Sequence, residues 1–580
     1  MNFKKYLYLI VPILVLITND MIVKIYHDFD MHWLFSAATS VLIIGIVELL
    51  IIKPGIKKGV IYGIVTFSII YSAFLSSYFT AFHTVFSFGN IGRADDLTGI
   101  VSIIPEYING DTLLYVVIFI AFTIFYRKVE VPVRNIGKRY IFPLIVATAI
   151  LLTANYSVLL TDFRLPILNN YGIHTYMAFD ISSILDDSVE EVTRSDIKSY
   201  ISSRNYLESD NQYSGVFEGK NIVFVMVESL EDHIIDDHLP HLAKMKSEGM
   251  YFSNYYIPRY QAITADSEFI YNTSQIPLLR NGVTYRVYAE NTYSVSMVNS
   301  FENKGYHSYY FHDYFGSFYH RKDAIGGLGY DNISFVEEMN IDVEQGMMEM
   351  PKDVDMINAS FEMYDFEEPF ITYYTTVSGH QKYERPSTKE YADEYAKALE
   401  GQGYDDVYAH YLGSIRHSDD AIGLLVEKLE ETNKLDDTVI VVVSDHMAKS
   451  AGNDRHKFVE GAPHLSYKGP FLIWSNDMDA EEVNTLASSF DVFPTLANMF
   501  NLEVDINNYV GTDIFSENER FIPFYDNEWL TNEGFYCAPK MKYFAFDDGI
   551  IDIAENNERV KKIHEYGQAI LYQDYFKVKE

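Results

Sequence analysis

Five long apolar stretches open the chain, and they constrain its fold more than any other feature of the sequence. They run over residues 6–23, 33–52, 60–79, 112–126 and 141–160. A hydrocarbon core of about 30 Å is crossed by roughly 20 apolar residues in a helix, and by somewhat fewer at the limit. Each stretch therefore predicts a transmembrane helix, the fourth being the shortest. A cleaved signal peptide would supply one such stretch, not five. Buried helices of a soluble core are the alternative, and the density and low charge of the run speak against them.

Basic residues orient the spans. Lys4 and Lys5 precede the first, Lys53, Lys57 and Lys58 lie between the second and third, and Arg127, Lys128, Arg134, Lys138 and Arg139 lie between the fourth and fifth. The other loops carry Asp28 and Asp30, then Asp95, Asp96, Glu106 and Asp111, against only Lys24 and Arg93. All three basic groups share one side if the N-terminus is cytoplasmic. Five spans (1–160) then place everything after Leu160 outside the cell. The loop 80–111 is expected outside as well, its Phe-rich start resting at the membrane surface.

Residues 161–220 are polar and irregular. They read as a linker with short helices near 173–185 and 195–202. From residue 221 to 580 the pattern is α/β. NIVFVMV at 221–227 and TVIVVV at 438–443 are continuous apolar runs of strand length, as expected for strands buried on both faces. Further strands are expected at 307–311, 370–376 and 471–474, with helices at 411–431 and 490–500. Strands alternating with helices predict a mostly parallel central sheet covered on both sides.

The formal net charge is −36, from 81 acidic and 45 basic residues. No basic surface is on offer for phosphate backbones, so nucleic acid is excluded as a partner. The acidity reads first as solvated surface. The single cysteine, Cys537, permits no internal disulfide and is expected to be inert.

Both fully apolar strands run straight into potential metal ligands, Glu228 after the first and Asp445-His446 after the second. In open α/β sheets ligands bind beyond the carboxyl ends of the strands. Taken singly, each residue has a plainer reading, since an acid after a strand often caps a helix and a histidine is often surface. A third group of interest is TADSEF at 264–269. It reads as a helix start, with a hydroxyl at the end of a helix where phosphate is favoured; the helix would continue to about residue 276, where Pro277 stops it. A lone threonine there is usually a cap. An alcohol is a weak nucleophile unless a base or metal activates it. Together Glu228, Thr264, Asp445 and His446 form a mixed O/N donor set suited to Mn2+, Mg2+ or Zn2+.

These motifs resemble the lipoteichoic acid synthase family of glycerophosphotransferases, within the sulfatase/alkaline-phosphatase superfamily. The matching pieces are NIVFVMVESLE, TADSEF, GYHSYYFHD, FYHRKDAIGGLGYDN, TTVSGHQKY, SIRHSDDAIGLLVEKLEE, VVVSDH and FDVFPTLANMF, in the family's order over roughly 221–515. The resemblance implies a five-span membrane block with an extracellular sulfatase-like catalytic domain, in the cell membrane of a bacterium. It implies that Glu228, Thr264, Asp445 and His446 hold a manganese-type ion, that Thr264 is the nucleophile, and that Arg321 contacts the substrate phosphate. His380 would assist proton transfer or bind substrate, though a buried, hydrogen-bonded role is its ordinary alternative. Tyr319 would line the substrate site, and Asp313 is a weaker contact. His233, His417, His456 and His464 form no clear second ligand cluster, so one metal is expected. A formylglycine sulfatase is disfavoured, because Cys537 lies far from the motifs.

The implied reaction moves glycerophosphate from phosphatidylglycerol to an acceptor hydroxyl through a phospho-threonine intermediate. The acceptor would be a glycolipid or a growing polyglycerolphosphate chain. The alternatives are a phosphoethanolamine transferase, an external phosphodiesterase, and a non-catalytic sensor on the same fold.

Overall fold

The structure is a computed structural model. It describes residues 6–27, 33–82, 85–86, 110–132, 138–153, 167–168, 171–185, 192–207, 210–260, 263–280, 282–342, 352–404, 406–448, 451, 462–546 and 551–578. Two compact units divide the chain, Met1–Val189 and Glu190–Glu580.

In the first unit the apolar stretches become helices Leu7–His27, Trp33–Leu50, Pro54–Phe82 and Gly110–Arg127, each with a segment long and apolar enough to cross a membrane. The fifth stretch forms Lys138–Thr153, 16 residues long, and 154–160 lie outside the described residues. Most of the expected external loop, 83–84 and 87–109, also lies outside them. Ile25, Ile70, Val117 and Ile150 are exposed, whereas Asn19, Asp20, Ser36 and Ser68 are buried. Apolar groups outward and polar groups inward is the distribution that lipid, not water, favours.

The expected linker 161–220 proves to be two things. Its first helix, Ile173–Leu185, is tied into the membrane unit. There the Ile173 amide donates to Asp20 Oδ1 at 3.0 Å and Ser68 Oγ meets His174 Nε2 at 2.8 Å. Its second helix, Arg194–Ser203, begins at a Thr193–Asp196 capping box and belongs to the other unit. Arg194 donates to the carbonyls of Gln573 and Tyr575, both at 2.8 Å. Polar partners on each side, buried at Asp20 and exposed at Arg194, rather than composition, decide where this segment divides.

The second unit is built on an eight-stranded sheet. In spatial order its strands are Asn332–Ser334, His307–His312, Phe370–Thr375, Asn221–Val227, Thr438–Ser444, Phe471–Trp474, Met250–Phe252 and Glu481–Val483. The first five are mutually parallel, and Phe471–Trp474 runs against both of its neighbours. The central strands alternate between two cores. Ile222, Phe224 and Met226 enter one, with Phe269, Val492 and Leu496. Val223, Val225 and Val227 enter the other, with Leu242, Ile357, Leu412 and Ile415. Burial on both faces explains why these strands are apolar at every position.

Register then builds the site. Val227 pairs with Ser444, Met226 with Thr375, and Thr375 with His312. Four neighbouring parallel strands thus end level, and the residues just past each strand emerge along one edge.

Helix Asp406–Glu431 covers one face, longer at its start than the sequence pattern suggests. A small antiparallel sheet, Ile522–Pro523, Trp529–Thr531, Gly534–Cys537 and Lys542–Ala545, comes after the main domain. The last helix, Ile553–Tyr572, returns to the centre. Gln568 Nε2 donates to the Pro277 carbonyl and its Oε1 accepts from the Leu279 amide, both at 2.9 Å.

Candidate functional site

Thr264 opens helix Thr264–Thr273, which is shorter than expected: it ends with Ser274 in the left-handed region, φ 48°, before Pro277 is reached. A left-handed residue just past the last turn stops a helix without proline. The residue before Thr264, Ile263, also has positive φ, 48°, a conformation a β-branched side chain adopts only under constraint. The constraint is visible. Ser267 Oγ donates to the Asp445 carbonyl and Tyr271 OH to the Ser444 carbonyl, each at 2.6 Å. The helix is stitched to the end of the very strand that delivers Asp445.

Four expected ligands come together. Thr264 Oγ1 lies 3.2 Å from Glu228 Oε2 and 3.4 Å from His446 Nε2. His446 Nε2 is 3.1 Å from Asp445 Oδ2 and 3.4 Å from Glu228 Oε1. Glu228, Asp445 and His446 are all buried. Thr264 does not act as a helix cap; its hydroxyl points to Glu228 instead. His446 Nδ1 donates to the Met447 carbonyl at 2.8 Å, which leaves the Nε2 lone pair directed at the cluster. Asp445 Oδ1 accepts from the Ser229 and His446 amides at 2.8 and 2.7 Å, while its buried Oδ2 receives no hydrogen bond.

That arrangement fits a divalent cation. An orphaned carboxylate oxygen in the interior is costly unless something positive meets it. Burial pushes the Asp445 carboxyl up to about 6, against the amides that lower it. Burial and then Asp445 push Glu228 up, opposed by His446 and His380. Two acids that resist carrying charge side by side, with an imidazole and a hydroxyl, match the donor set of a Mn2+, Mg2+ or Zn2+ site.

Glu268 lies one turn along the Thr264 helix and is fully buried. It accepts from Tyr310 OH at 2.8 Å, from Thr375 Oγ1 at 2.5 Å and from Arg321 Nε at 3.1 Å. Arg321, expected beside a substrate phosphate, is itself only 5% exposed. Its Nη1 lies 2.6 Å from His312 Nε2, and His312 Nδ1 donates to the Thr375 carbonyl at 2.9 Å. Burial, then Arg321, holds His312 well below its usual range, so the ring is neutral.

His380 comes after the Phe370–Thr375 strand on a turn, half-buried, with Nδ1 against the Gln381 carbonyl oxygen. Tyr319 has positive φ, 59°, and its ring lies 4.1 Å from that of Phe318. Asp313, the weaker contact candidate, is fully buried, and burial, followed by Asp353, raises its pKa well above its usual value. His233 pairs with Glu231, His417 with Ser378, and His464 lies among Tyr256 and Phe546; His456 lies outside the described residues. A second His/Asp grouping, His241, Asp419 and Asp420, exists. Its Asp419 oxygens accept the His241 and Leu242 amides, and Asp420 pairs with Arg416, so these acids already have structural work. Sequence reasoning missed Glu268 and His312. The signals were there: an acid four residues after the hydroxyl, and the His beside the Asp in FHD.

The sulfatase family matches residues 220–502. Lipoteichoic acid synthase 2 of Bacillus subtilis is 26% identical over 513 residues, covering 81% of this chain and 75% of that protein. The lipoteichoic acid synthase of Staphylococcus aureus is 22% identical over 546 residues, covering 85% and 80%. Among solved structures, the lipoteichoic acid synthase LtaP from Listeria monocytogenes aligns with a TM-score of 0.55 at 20% identity, over 65% of this chain and 97% of that one. An alkaline-phosphatase-superfamily protein from Vibrio parahaemolyticus aligns with a TM-score of 0.50 at 18% identity, over 66% and 97%. At these identities the structural likeness concerns the fold.

Proposed function

On the premise that the chain belongs to the lipoteichoic acid synthase family, we propose that it transfers glycerophosphate from phosphatidylglycerol to an acceptor hydroxyl outside the cell. The observation that carries the reading is the meeting of Thr264 with Glu228, Asp445 and His446 at the level ends of adjacent strands. The relatives' names support the reaction class, and the apolar helices suit a lipid donor. The acceptor would be a glycolipid or a growing polyglycerolphosphate chain.

Glu228, Thr264, Asp445 and His446 would hold the cation. When bound, such an ion lowers the pKa of a coordinated hydroxyl and offsets charge on a transferring phosphoryl group. Thr264 Oγ1 is hydrogen-bonded to Glu228 Oε2, which would take that proton as Oγ1 attacks phosphorus and return it when threonine is released. A bond forms from Thr264 Oγ1 to phosphorus, and the bond to the diacylglycerol oxygen breaks. That oxygen takes a proton from the His380 imidazole, whose Nδ1 faces the Gln381 carbonyl. An acceptor hydroxyl then gives its proton to His380, attacks phosphorus, and releases threonine. Arg321 has Nε and Nη1 committed to Glu268 and His312, so Nη2 is the nitrogen left for a phosphoryl oxygen.

The test is incubation of the full-length protein with headgroup-labelled phosphatidylglycerol and Mn2+. Labelled transfer product, released diacylglycerol and a mass adduct on Thr264 are expected. Free labelled headgroup alone would make it a phosphodiesterase. Turnover only of phosphatidylethanolamine would make it a phosphoethanolamine transferase. No turnover and no bound metal would leave a sensor.

A further inference from the structure

The turn bearing His380 is gripped by two buried groups of opposite charge. After Thr375 the chain passes through Val377, Ser378 and Gly379 to His380. Asp353, fully buried at the start of helix Asp353–Met363, takes the turn's donors: its Oδ1 accepts from the Val377 and Ser378 amides, both at 2.9 Å. Its Oδ2 is held by Ser418 Oγ at 2.5 Å, and its own amide donates to Ser378 Oγ at 3.2 Å. Arg385, only 2% exposed, takes the acceptors. Its Nη1 donates to the Ser378 carbonyl at 3.0 Å, its Nε to the Lys382 carbonyl at 2.9 Å, and its Nη2 to the His380 carbonyl.

Between them the turn is pressed onto a cluster residue. A Cβ on Gly379 would overlap the Glu228 carbonyl oxygen and stand 2.7 Å from Ile415 Cδ1. Only glycine allows that approach. A buried guanidinium close to a phosphoryl-transfer site would ordinarily be read as a phosphate ligand. Here each of its three nitrogens donates to a main-chain carbonyl of one short loop.

We infer that Arg385, seconded by Asp353, is the positioning residue for His380: it fixes where the imidazole stands relative to Glu228 and touches no substrate. The planar fork matters. Three carbonyls spread along the loop match a rigid set of donors, whereas a lysine ammonium is a point charge on a flexible stem.

This inference rests on His380 as the proton-transfer residue, and the test separates the two. Full-length Arg385→Gln, Arg385→Lys, His380→Gln and the double variant Arg385→Gln/His380→Gln are assayed with labelled phosphatidylglycerol and, independently, with bis(p-nitrophenyl) phosphate. Arg385→Gln is expected to lower kcat by about ten-fold or more while KM stays within about two-fold. In the His380→Gln background the same change should cost less than about two-fold, because both act through one group. Arg385→Lys should fall between wild type and Arg385→Gln, and serves in its place if the glutamine variant does not fold. Hydrogen exchange of peptides spanning 376–384 should quicken in the Arg385 variants while the rest of the domain is unchanged. Independent, multiplying losses, a KM effect with kcat intact, or unaltered exchange at 376–384 would each overturn the inference. If the lipid is not turned over but the diester is, the functional reading fails and the positioning role is still judged on the diester and the exchange data.

Discussion

Arg321 Nη1 and His312 Nε2 stand 2.6 Å apart, at the level ends of the sheet. Because His312 Nδ1 gives its proton to Thr375, Nε2 can only accept. The imidazole therefore holds the guanidinium without adding charge, and Glu268 supplies the counter-charge from the other side. Arg321 is set in place before any substrate arrives.

Arg321→Lys keeps the charge and loses the fork. Lysine can satisfy Glu268 or a phosphoryl oxygen, but not hold His312 as well. Transfer should fall by roughly 10²-fold, in keeping with about 2–3 kcal/mol for lost charge-assisted bonds. Metal content, measured by elemental analysis, should be unchanged. A parallel loss of metal would show that the Glu268–Arg321 pair supports the fold of the cluster instead.

Thr264→Ala should abolish the covalent adduct and lower transfer by about 10³-fold or more, on the scale of losing a nucleophile. Its hydroxyl makes no helix cap, so the melting temperature should move little. Intact-mass analysis after an acid quench checks both variants, with Thr264→Ser expected to keep a detectable adduct. An adduct persisting in Thr264→Ala would remove the nucleophile from the mechanism.

Metal should stabilise the domain through Asp445. A ligand that binds only the folded state at 100 times its dissociation constant adds about 2.7 kcal/mol. Mn2+ should therefore raise the melting temperature of the wild type, and EDTA should lower it again. Asp445→Asn removes the orphaned oxygen's charge and should lose most of that response. An equal metal-induced shift in the variant would exclude Asp445 as a ligand.

Glu528 lies away from these residues in sequence, buried just before strand Trp529–Thr531 of the small antiparallel sheet, where burial followed by Asp526 pushes its carboxyl up to about 8. In the unfolded chain a glutamate titrates near 4.3. Between the two values the unfolded state has released the proton and the folded state still binds it, so stability falls as pH rises. The contribution is whole below about pH 4.3 and lost by about pH 8. Glu528→Gln should flatten the melting temperature over that window and raise it at pH 8 by a few degrees, at roughly 2–4 °C per kcal/mol. Identical slopes in wild type and variant would refute the raised titration.

How far the site could be read from residues alone depends on distance along the chain. Glu228 and Asp445-His446 were legible because each ends a run of wholly apolar strand, and period and position carry that signal. Thr264 was legible from local chemistry at a helix start, although the helix end was not, since Ser274 rather than Pro277 stops it. Glu268, His312 and Arg385 depend on partners 53, 9 and 3–7 residues away that only the folded chain brings to hand. The small strands from Ile522 onward are two to four residues long, too short for alternation to show. The division within 161–220 turns on Asp20 and Gln573, one near each end of the chain.

The final helix holds Pro277 and Leu279 from positions 291 and 289 residues downstream. A ribosome therefore finishes the segment beyond Thr264 long before it makes the clasp that secures it. Until Gln568 has been synthesised, the segment just after the Thr264 helix lacks these two bonds and rests on contacts made earlier in the chain, among them the Leu278 amide to Thr284 Oγ1 and Tyr525 OH to the Leu279 carbonyl, so a chain truncated before its last helix should hold Thr264 on a less firmly anchored segment.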